Sequence, residues 1–224
     1  NDIFAGYHTS YGIKTDGSLW SWGYNPSGEL GLGDAIPRSS PVQLPGNQWN
    51  RVSNTWSDKA TLATKTDGSL WAWGANGSGS MGQNDAIPRS SPVQIGLDET
   101  WSDPNSGYSI QVAVKTDGSL WSWGYNAYGE AGSNGDANYP IYGYRSSPVQ
   151  LPGTQWNYVD GGPIFSNLMA ATKTDGSLWV WGYNSGGQLG LGDRTHRSSP
   201  VQVPGTQWSR LNVGNVIWAI SNFQ

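Results

Sequence analysis

Apolar positions in this chain fall in short runs separated by turn-forming residues. The clearest run is Leu19-Trp20-Ser21-Trp22-Gly23, entered through Lys14-Thr15-Asp16-Gly17-Ser18. Period-two alternation puts Trp20 and Trp22 on one face of a strand, with Leu19 and Ser21 on the other. Asp-Gly ahead of the run is a hairpin signal, because Gly accepts positive φ and Asp tolerates it. The block returns as KTDGSLWAWG from Lys65, KTDGSLWSWG from Lys115 and KTDGSLWVWG from Lys173, with starts 51, 50 and 58 residues apart. Recurrence at that spacing predicts a repeat architecture. Opposite the Trp pair stands a large residue and then a small one: Leu19/Ser21, Leu70/Ala72, Leu120/Ser122, with Val180 the bulkier exception. A bulky face against a smaller one suits sheets stacked face to face around an axis.

Each unit contains further strand signals. Residues 1–13 read as a first strand region leading into the Asp-Gly turn. Residues 24–34, dense in Gly, Asn, Pro, Ser and Asp, read as a loop of fixed backbone shape. Residues 38–44 read as a third strand, whose Pro41 suits a strand start or an edge, and residues 48–53 as a fourth. Four short antiparallel strands per unit predict an all-β fold, a β-propeller with four blades of four strands. The units run about 1–53, 54–103, 104–160 and 161–212, within a single domain spanning 1–224. A partial fifth unit, 213–224, adds one extra C-terminal strand, and membership in a larger, seven-bladed ring stays open.

Composition sharpens this picture. Gly (32 residues) and a charged content of 12% could accompany disorder, but 14 Trp and 11 Tyr call for a packed aromatic interior. Twelve of the Trp occupy three repeated positions; Trp56 and Trp218 are the extras. A net charge of −4 without any basic stretch speaks against nucleic acid as a partner. There is no Cys, which excludes disulfides and thiolate metal sites. No apolar run reaches the roughly 18 residues of a membrane helix, so no membrane insertion is expected, and no signal peptide is visible.

Trp20-Ser21-Trp22-Gly23-Tyr24-Asn25, Gly28 and Leu30-Gly31-Leu32-Gly33-Asp34, followed by Arg38-Ser39-Ser40-Pro41-Val42-Gln43, resemble the regulator of chromosome condensation (RCC-type) repeat. The resemblance covers essentially the whole chain, with departures at residues 80–85 and 131–136. It implies a propeller serving as a binding scaffold. Family functions include nucleotide exchange on the small GTPase Ran, chromatin docking and inhibition of a secreted β-lactamase, each carried by surface loops. The uniformity of the KTDGSLW blocks looks like bacterial and phage members.

Candidate chemistry is sparse. Asp16, Asp67, Asp117 and Asp175 could form a ring of carboxylates, but their place in the Asp-Gly turn predicts turn hydrogen bonds instead. Asp34, Asp85, Asp136 and Asp193 precede Arg38, Arg89, Arg145 and Arg197, which predicts ion pairs stapling a loop. The loop from Gly28 to Asp34 lacks the Lys-Ser/Thr of a phosphate loop and the acid spacing of a Ca²⁺ loop. His8 and His196 belong to no catalytic signature. An enzyme is not expected, and no cofactor or metal is. The informative position is the break in the repeat: Gly31 to Arg38, Gly82 to Arg89 and Gly190 to Arg197 each span seven residues, and Gly132 to Arg145 spans thirteen. The extra residues bring Tyr139, Tyr142 and Tyr144 close together, with Tyr128 just upstream. Tyrosines serve as anchors at binding surfaces. These four, with Trp218 near the C-terminal end, are the expected partner contacts.

The resulting expectation is a non-catalytic protein-interaction or structural scaffold, a virion or surface-assembly component, located on a virion or the extracellular surface rather than in the cytoplasm. Its partner is a protein, either a larger assembly or neighbouring copies. The alternatives are a regulatory factor acting on a small GTPase, and a secreted inhibitor or carbohydrate-binding propeller.

Overall fold

The computed structural model describes residues 2–6, 8–55, 59–133, 143–162, 167–214 and 217–221. Among them are eighteen strands and no helix. The first sheet is β1 (Asp2–Ala5), β2 (Thr9–Ile13), β3 (Leu19–Gly23) and β4 (Arg38–Gln43). The second is β5 (Trp49–Asn54), β6 (Ala60–Lys65), β7 (Leu70–Gly74) and β8 (Arg89–Gln94), and the third β9 (Trp101–Ser106), β10 (Ile110–Lys115), β11 (Leu120–Gly124) and β12 (Arg145–Gln150). The fourth is β13 (Trp156–Gly161), β14 (Leu168–Lys173), β15 (Leu178–Gly182) and β16 (Arg197–Val203). β17 (Trp208–Val213) and β18 (Ile217–Ser221) form a two-stranded ribbon. Every sheet is an antiparallel meander in chain order. Four four-stranded sheets are therefore present, and beyond them a C-terminal ribbon whose last strand, β18, is the extra strand expected.

The sheets are offset by one strand from the sequence repeat. The strand opened by Trp49 pairs with β6, not β4, and so begins the second sheet. Trp101, Trp156 and Trp208 open β9, β13 and β17 in the same way. β18 consequently has β17 as its mate on one side. The first strands converge: β5 lies against β9, β9 against β13 and β13 against β17. A groove of about 440 Å³ runs along them, lined from every sheet by residues such as Phe4, Ser53, Asn105, Asp160 and Asn212.

The cores lie between adjacent sheets. Tyr11, Leu19, Leu44, Trp49, Val52 and Trp73 fill the first interface; Leu62, Leu70, Ala72, Met81, Trp101 and Trp123 the second. Val112, Leu120, Leu151, Trp156, Val159 and Trp181 fill the third. The Trp pairs of β7, β11 and β15 face the preceding sheet, and the Leu/small pairs of β3, β7 and β11 face the following one, on opposite faces as the alternation predicts. Depth differs from the expectation that Trp20, Trp71, Trp121 and Trp179 are the Trp buried between sheets. All four are half-buried, whereas Trp73, Trp123 and Trp181 are completely buried. The first Trp of each pair sits at the turn end of its strand. There its indole N–H is satisfied locally, by Ser18, Ser69, Ser119 or Ser177. The motif Lys covers it, with Lys14 Nζ 3.9 Å from the Trp20 ring centre and Lys65 Nζ 4.2 Å from that of Trp71. In β7, β11 and β15 the second Trp passes under the loop of the preceding sheet, where no water reaches, whereas Trp22 stays half-buried.

That contact recurs with fixed geometry. The indole N–H of Trp73 donates to the Glu29 carbonyl at 2.8 Å, that of Trp123 to Ser80 at 2.9 Å and that of Trp181 to Glu130 at 2.7 Å. The accepting loops are held by a buried Asn. Asn25 Oδ1 accepts the Leu30 N–H and its Nδ2 donates to the Asp34 carbonyl, Asn76 repeats both bonds and Asn126 accepts the Ala131 N–H; Asn184 repeats both bonds in the loop after β15.

Candidate functional site

The repeated polar residues are taken up by structure. Asp16 Oδ1 accepts the Ser18 N–H at 2.9 Å and the Ser18 hydroxyl at 2.6 Å, and Ser18 in turn accepts from Trp20. The two bonds from Ser18 hold the Asp16 carboxyl below its ordinary value, as those from Ser69, Ser119 and Ser177 hold Asp67, Asp117 and Asp175. Asp34–Arg38, Asp85–Arg89 and Asp193–Arg197 are ion pairs across their loops at 2.6, 2.6 and 2.5 Å. Asp136 lies outside the described residues. Among the described residues no group of three or more His, Asp or Glu is placed to hold a metal ion.

The break in the repeat marks an aromatic surface. Tyr128 meets Tyr183 edge-on at 4.9 Å and His196 at 5.4 Å, and Tyr183 stacks on His196 at 4.9 Å. His196 is oriented by the Asn184 N–H, which donates to Nδ1 at 2.8 Å. Tyr144, 55% exposed, lies 6.2 Å from Tyr125. Partial burial, then the neighbouring Glu130, Tyr128, Tyr144 and Tyr108, raise the Tyr125 phenol above its ordinary value. Two of the expected contacts, Tyr128 and Tyr144, thus belong to one continuous face between the third and fourth sheets. Tyr139 and Tyr142 lie outside the described residues. Trp218 lies in β18, whose backbone is described and whose Trp side chain is not. The expectation missed Tyr125, Tyr183 and His196. The available signal was the position after Trp-x-Trp-Gly, which holds Tyr24, Tyr125 and Tyr183 in three of the four units and Ala75 in the other.

Beneath this face is a buried acid. Glu130 is 1% exposed; its Oε2 accepts the Tyr128 N–H at 2.8 Å, and its Oε1 has no partner. Burial pushes its carboxyl up to about 7. A folded-state value above the unfolded one means the native state binds the extra proton. Stability is then fully present below the ordinary value of 4.5 and is lost as pH rises through about 7. Asp160, raised by burial to about 6, acts in the same direction. Denaturant titrations should show stability falling as pH rises from about 4.5 to about 7. Glu130→Gln should remove on the order of 3 kcal/mol of that fall. An unaltered pH profile in the variant would contradict the assignment.

The axial groove is polar and internally paired. Arg51 reaches Asp103 at 2.9 Å, Ser53 bonds Ser106 at 2.8 Å, and Asp160 Oδ2 accepts the Val213 N–H at 2.9 Å. Burial raises the Asp103 carboxyl despite the nearby Arg51 guanidinium. The charged and polar groups here mainly tie neighbouring first strands together.

The regulator of chromosome condensation (RCC1) repeat profile matches residues 16–54, 67–114 and 175–215, and a second profile of the same description matches residues 1–29. The chain belongs to the RCC1-repeat family. Residues 115–174, between the matched RCC1 segments, contain the lengthened loop. This RCC1-repeat chain is 30% identical to the Arabidopsis thaliana ultraviolet-B receptor UVR8 over 223 residues, covering 96% of the chain and 49% of UVR8. It is 41% identical to human protein RCC2 over 87 residues, covering 37% of the chain and 16% of RCC2. It is 33% identical to the Dictyostelium discoideum Ras guanine nucleotide exchange factor C over 106 residues, 47% of the chain and 7% of that protein. The chain spans about half the length of UVR8 and far less of the other two. Human WBSCR16 shares the fold with a TM-score of 0.82 at 22% identity, covering 100% of this chain and 58% of that one. Saccharomyces cerevisiae Prp20p does so at 0.80 and 17%, covering 97% and 54%.

These matches correct three expectations. The relatives are eukaryotic proteins, so the bacterial or phage likeness is withdrawn. The Lys, Asp, Ser and Trp of KTDGSLW make the same contacts in all four sheets, a structural reason for uniformity that says nothing of lineage. A virion or surface-assembly role, and a place on a virion or the extracellular surface, fall with it: the relatives carry the names of a light receptor and a nucleotide exchange factor. Among the described residues no helix is long and apolar enough to cross a membrane.

Proposed function

We propose that this chain is the non-catalytic docking part of a regulatory protein, and that a small GTPase is the class of partner it serves. The observation that carries the reading is the aromatic face of Tyr125, Tyr128, Tyr144, Tyr183 and His196, placed where one unit alone departs from the repeat spacing. Rigid, half-exposed rings offer contact area at little entropic cost. The matches to a Ras guanine nucleotide exchange factor and to Prp20p, whose structure is described with its binding to Gsp1p and histones, support the partner class. Tyr139 and Tyr142, which lie outside the described residues, and Trp218 are proposed as further contacts on the sequence alone.

Biolayer interferometry against a panel of small GTPases in nucleotide-free and nucleotide-bound forms tests the proposal. Tyr128→Ala and Tyr144→Ala should each weaken the interaction by about 1–3 kcal/mol, as for an aromatic anchor. Tyr144→Ala should leave the thermal midpoint unchanged because its ring is more than half exposed. Equal affinity of parent and variants for every GTPase that binds, or no binding at all, would overturn the reading.

A further inference from the structure

The loops that lead into β4, β8 and β16 share one frame, and one of them carries a residue that the frame does not use. The residue ahead of the paired Arg is Pro37 before Arg38 and Pro88 before Arg89, but His196 before Arg197. The Pro-bearing loops keep every bond that shapes the turn. The N–H groups of Ile36 and Ile87 donate to Asp34 and Asp85 at 2.9 and 3.0 Å, as that of Thr195 donates to Asp193 at 2.9 Å. Asn25, Asn76 and Asn184 each donate to the carbonyl two residues after that Asp, at 3.1, 3.2 and 3.1 Å. The turn therefore forms without an imidazole, and His196 is an addition to it.

His196 is exposed, yet its ring is held from three sides. Nδ1 accepts the Asn184 N–H at 2.8 Å, Tyr183 stacks on the ring with 24° between the planes, and Tyr128 meets it edge-on. A ring nitrogen that accepts a hydrogen bond carries no proton, so this bond selects the neutral imidazole with its hydrogen on Nε2. Protonation sets a second donor against the Asn184 N–H, and the bond cannot persist. The charged groups around the ring do not make up the loss. Arg194 and Arg197 lie on the same loop, and Asp193 is already engaged by Arg197 at 2.5 Å. The Thr195 N–H, and then Arg197, hold the Asp193 carboxyl below its ordinary value. From the neighbouring unit come the phenols of Tyr128 and Tyr183 and, under Tyr128, the buried Glu130 that accepts the Tyr128 N–H. An imidazolium gains from the Tyr183 face by a cation–π contact, but that contact supplies no acceptor for the Asn184 N–H.

We propose that His196 is an acid-released latch on the aromatic face: the neutral ring locks Tyr128 and Tyr183 in place, and protonation lets the three rings part. A partner docked on the face is then held near neutral pH and released in acid. Opening is local. The bonds of Asn184 to Asp193, Thr195 and Leu189, and the Asp193–Arg197 pair, do not involve the ring, so the turn stays folded when the latch opens. Control of docking rests on the reading of this face as a partner surface; the opening of the latch does not.

An NMR titration of the isotope-labelled protein from about pH 8 to about pH 5, following the His and Tyr rings, tests the latch. The chain has two His, so the signal absent from His196→Phe assigns the other. Glu130→Gln, present throughout, keeps the buried acid from adding a transition of its own. His196 should show the Nε2–H tautomer at the alkaline end. The ring signals of Tyr128 and Tyr183 and the Asn184 amide should move with the His196 midpoint. His196→Phe keeps a ring in the stack and cannot titrate, so the coordinated change should vanish there. Affinity for a small GTPase that the face binds should fall about tenfold between the same limits in the parent and stay level in His196→Phe. An Nδ1–H tautomer, Tyr signals unmoved through the His196 midpoint, or the same Tyr change in His196→Phe would each overturn the latch, with or without a bound GTPase. Affinity that ignores pH while the latch opens would overturn the control of docking. Absence of any binding would overturn the docking reading and that control together, and the NMR titration still decides the latch.

Discussion

Trp123→Ala is expected to unfold at a much lower denaturant concentration than the parent, with a loss of about 3–5 kcal/mol. The ring is fully buried between the second and third sheets, among Leu62, Leu70, Met81 and Ile95. Its removal leaves a cavity in an interface with few ways to collapse, because a strand supports each wall. It also strips the Ser80 carbonyl of the indole N–H at 2.9 Å. Trp121→Ala, two residues away on the same face, should cost only about 1–2 kcal/mol. That ring is half-buried and loses an edge contact with Trp101, cover from Lys115 and a local bond to Ser119. Equal midpoints for the two variants in urea would reject the difference in depth on which the interfaces rest.

The second large effect is expected at Gly79. Its φ is 69°, and a Cβ there would stand 2.6 Å from Ser146 Cα and 2.8 Å from Ser146 Cβ. Both Ser146 atoms belong to a paired strand, so neither gives way easily. Gly79→Ala should therefore cost about 2–5 kcal/mol, from left-handed backbone strain together with overpacking. Gly190→Ala is the matched comparison. Its φ is 68° and nothing lies within 4 Å, so strain alone, about 1–2 kcal/mol, remains. The difference between the two variants, read from thermal or urea melts, isolates the close approach of neighbouring sheets. Equal losses in Gly190→Ala and Gly79→Ala would contradict the close approach at Gly79.

Much of the fold was legible because the repeat states it four times. The Asp-Gly hairpin, the strand at Leu19–Gly23 and the shared face of its two Trp all follow from turn chemistry and period two. The strand opened by Trp49 was harder to place. Residues 44–48 are short enough for a hairpin back onto β4, and local sequence does not record that the link instead carries the chain to the next sheet. Depth was hidden for a related reason: alternation assigns a face, and only the loop of the neighbouring sheet decides which Trp it covers. On the aromatic face, Tyr128 and Tyr144 were readable from the lengthened spacing. Tyr183 and His196 were not, since they arrive from the next unit and meet Tyr128 only after the sheets have stacked.

The sameness of the three contacts between neighbouring sheets bears on how such a chain changes over generations. Each interface presents one Trp to one loop carbonyl and one Ser-Ser strand to one Gly. A whole unit copied or lost between two others would meet neighbours already shaped to receive it. Point substitutions in these surfaces must be matched by their partners roughly one repeat away, but gain or loss of complete units needs no such matching. The number of sheets is therefore free to drift in a way that the contacts between them are not.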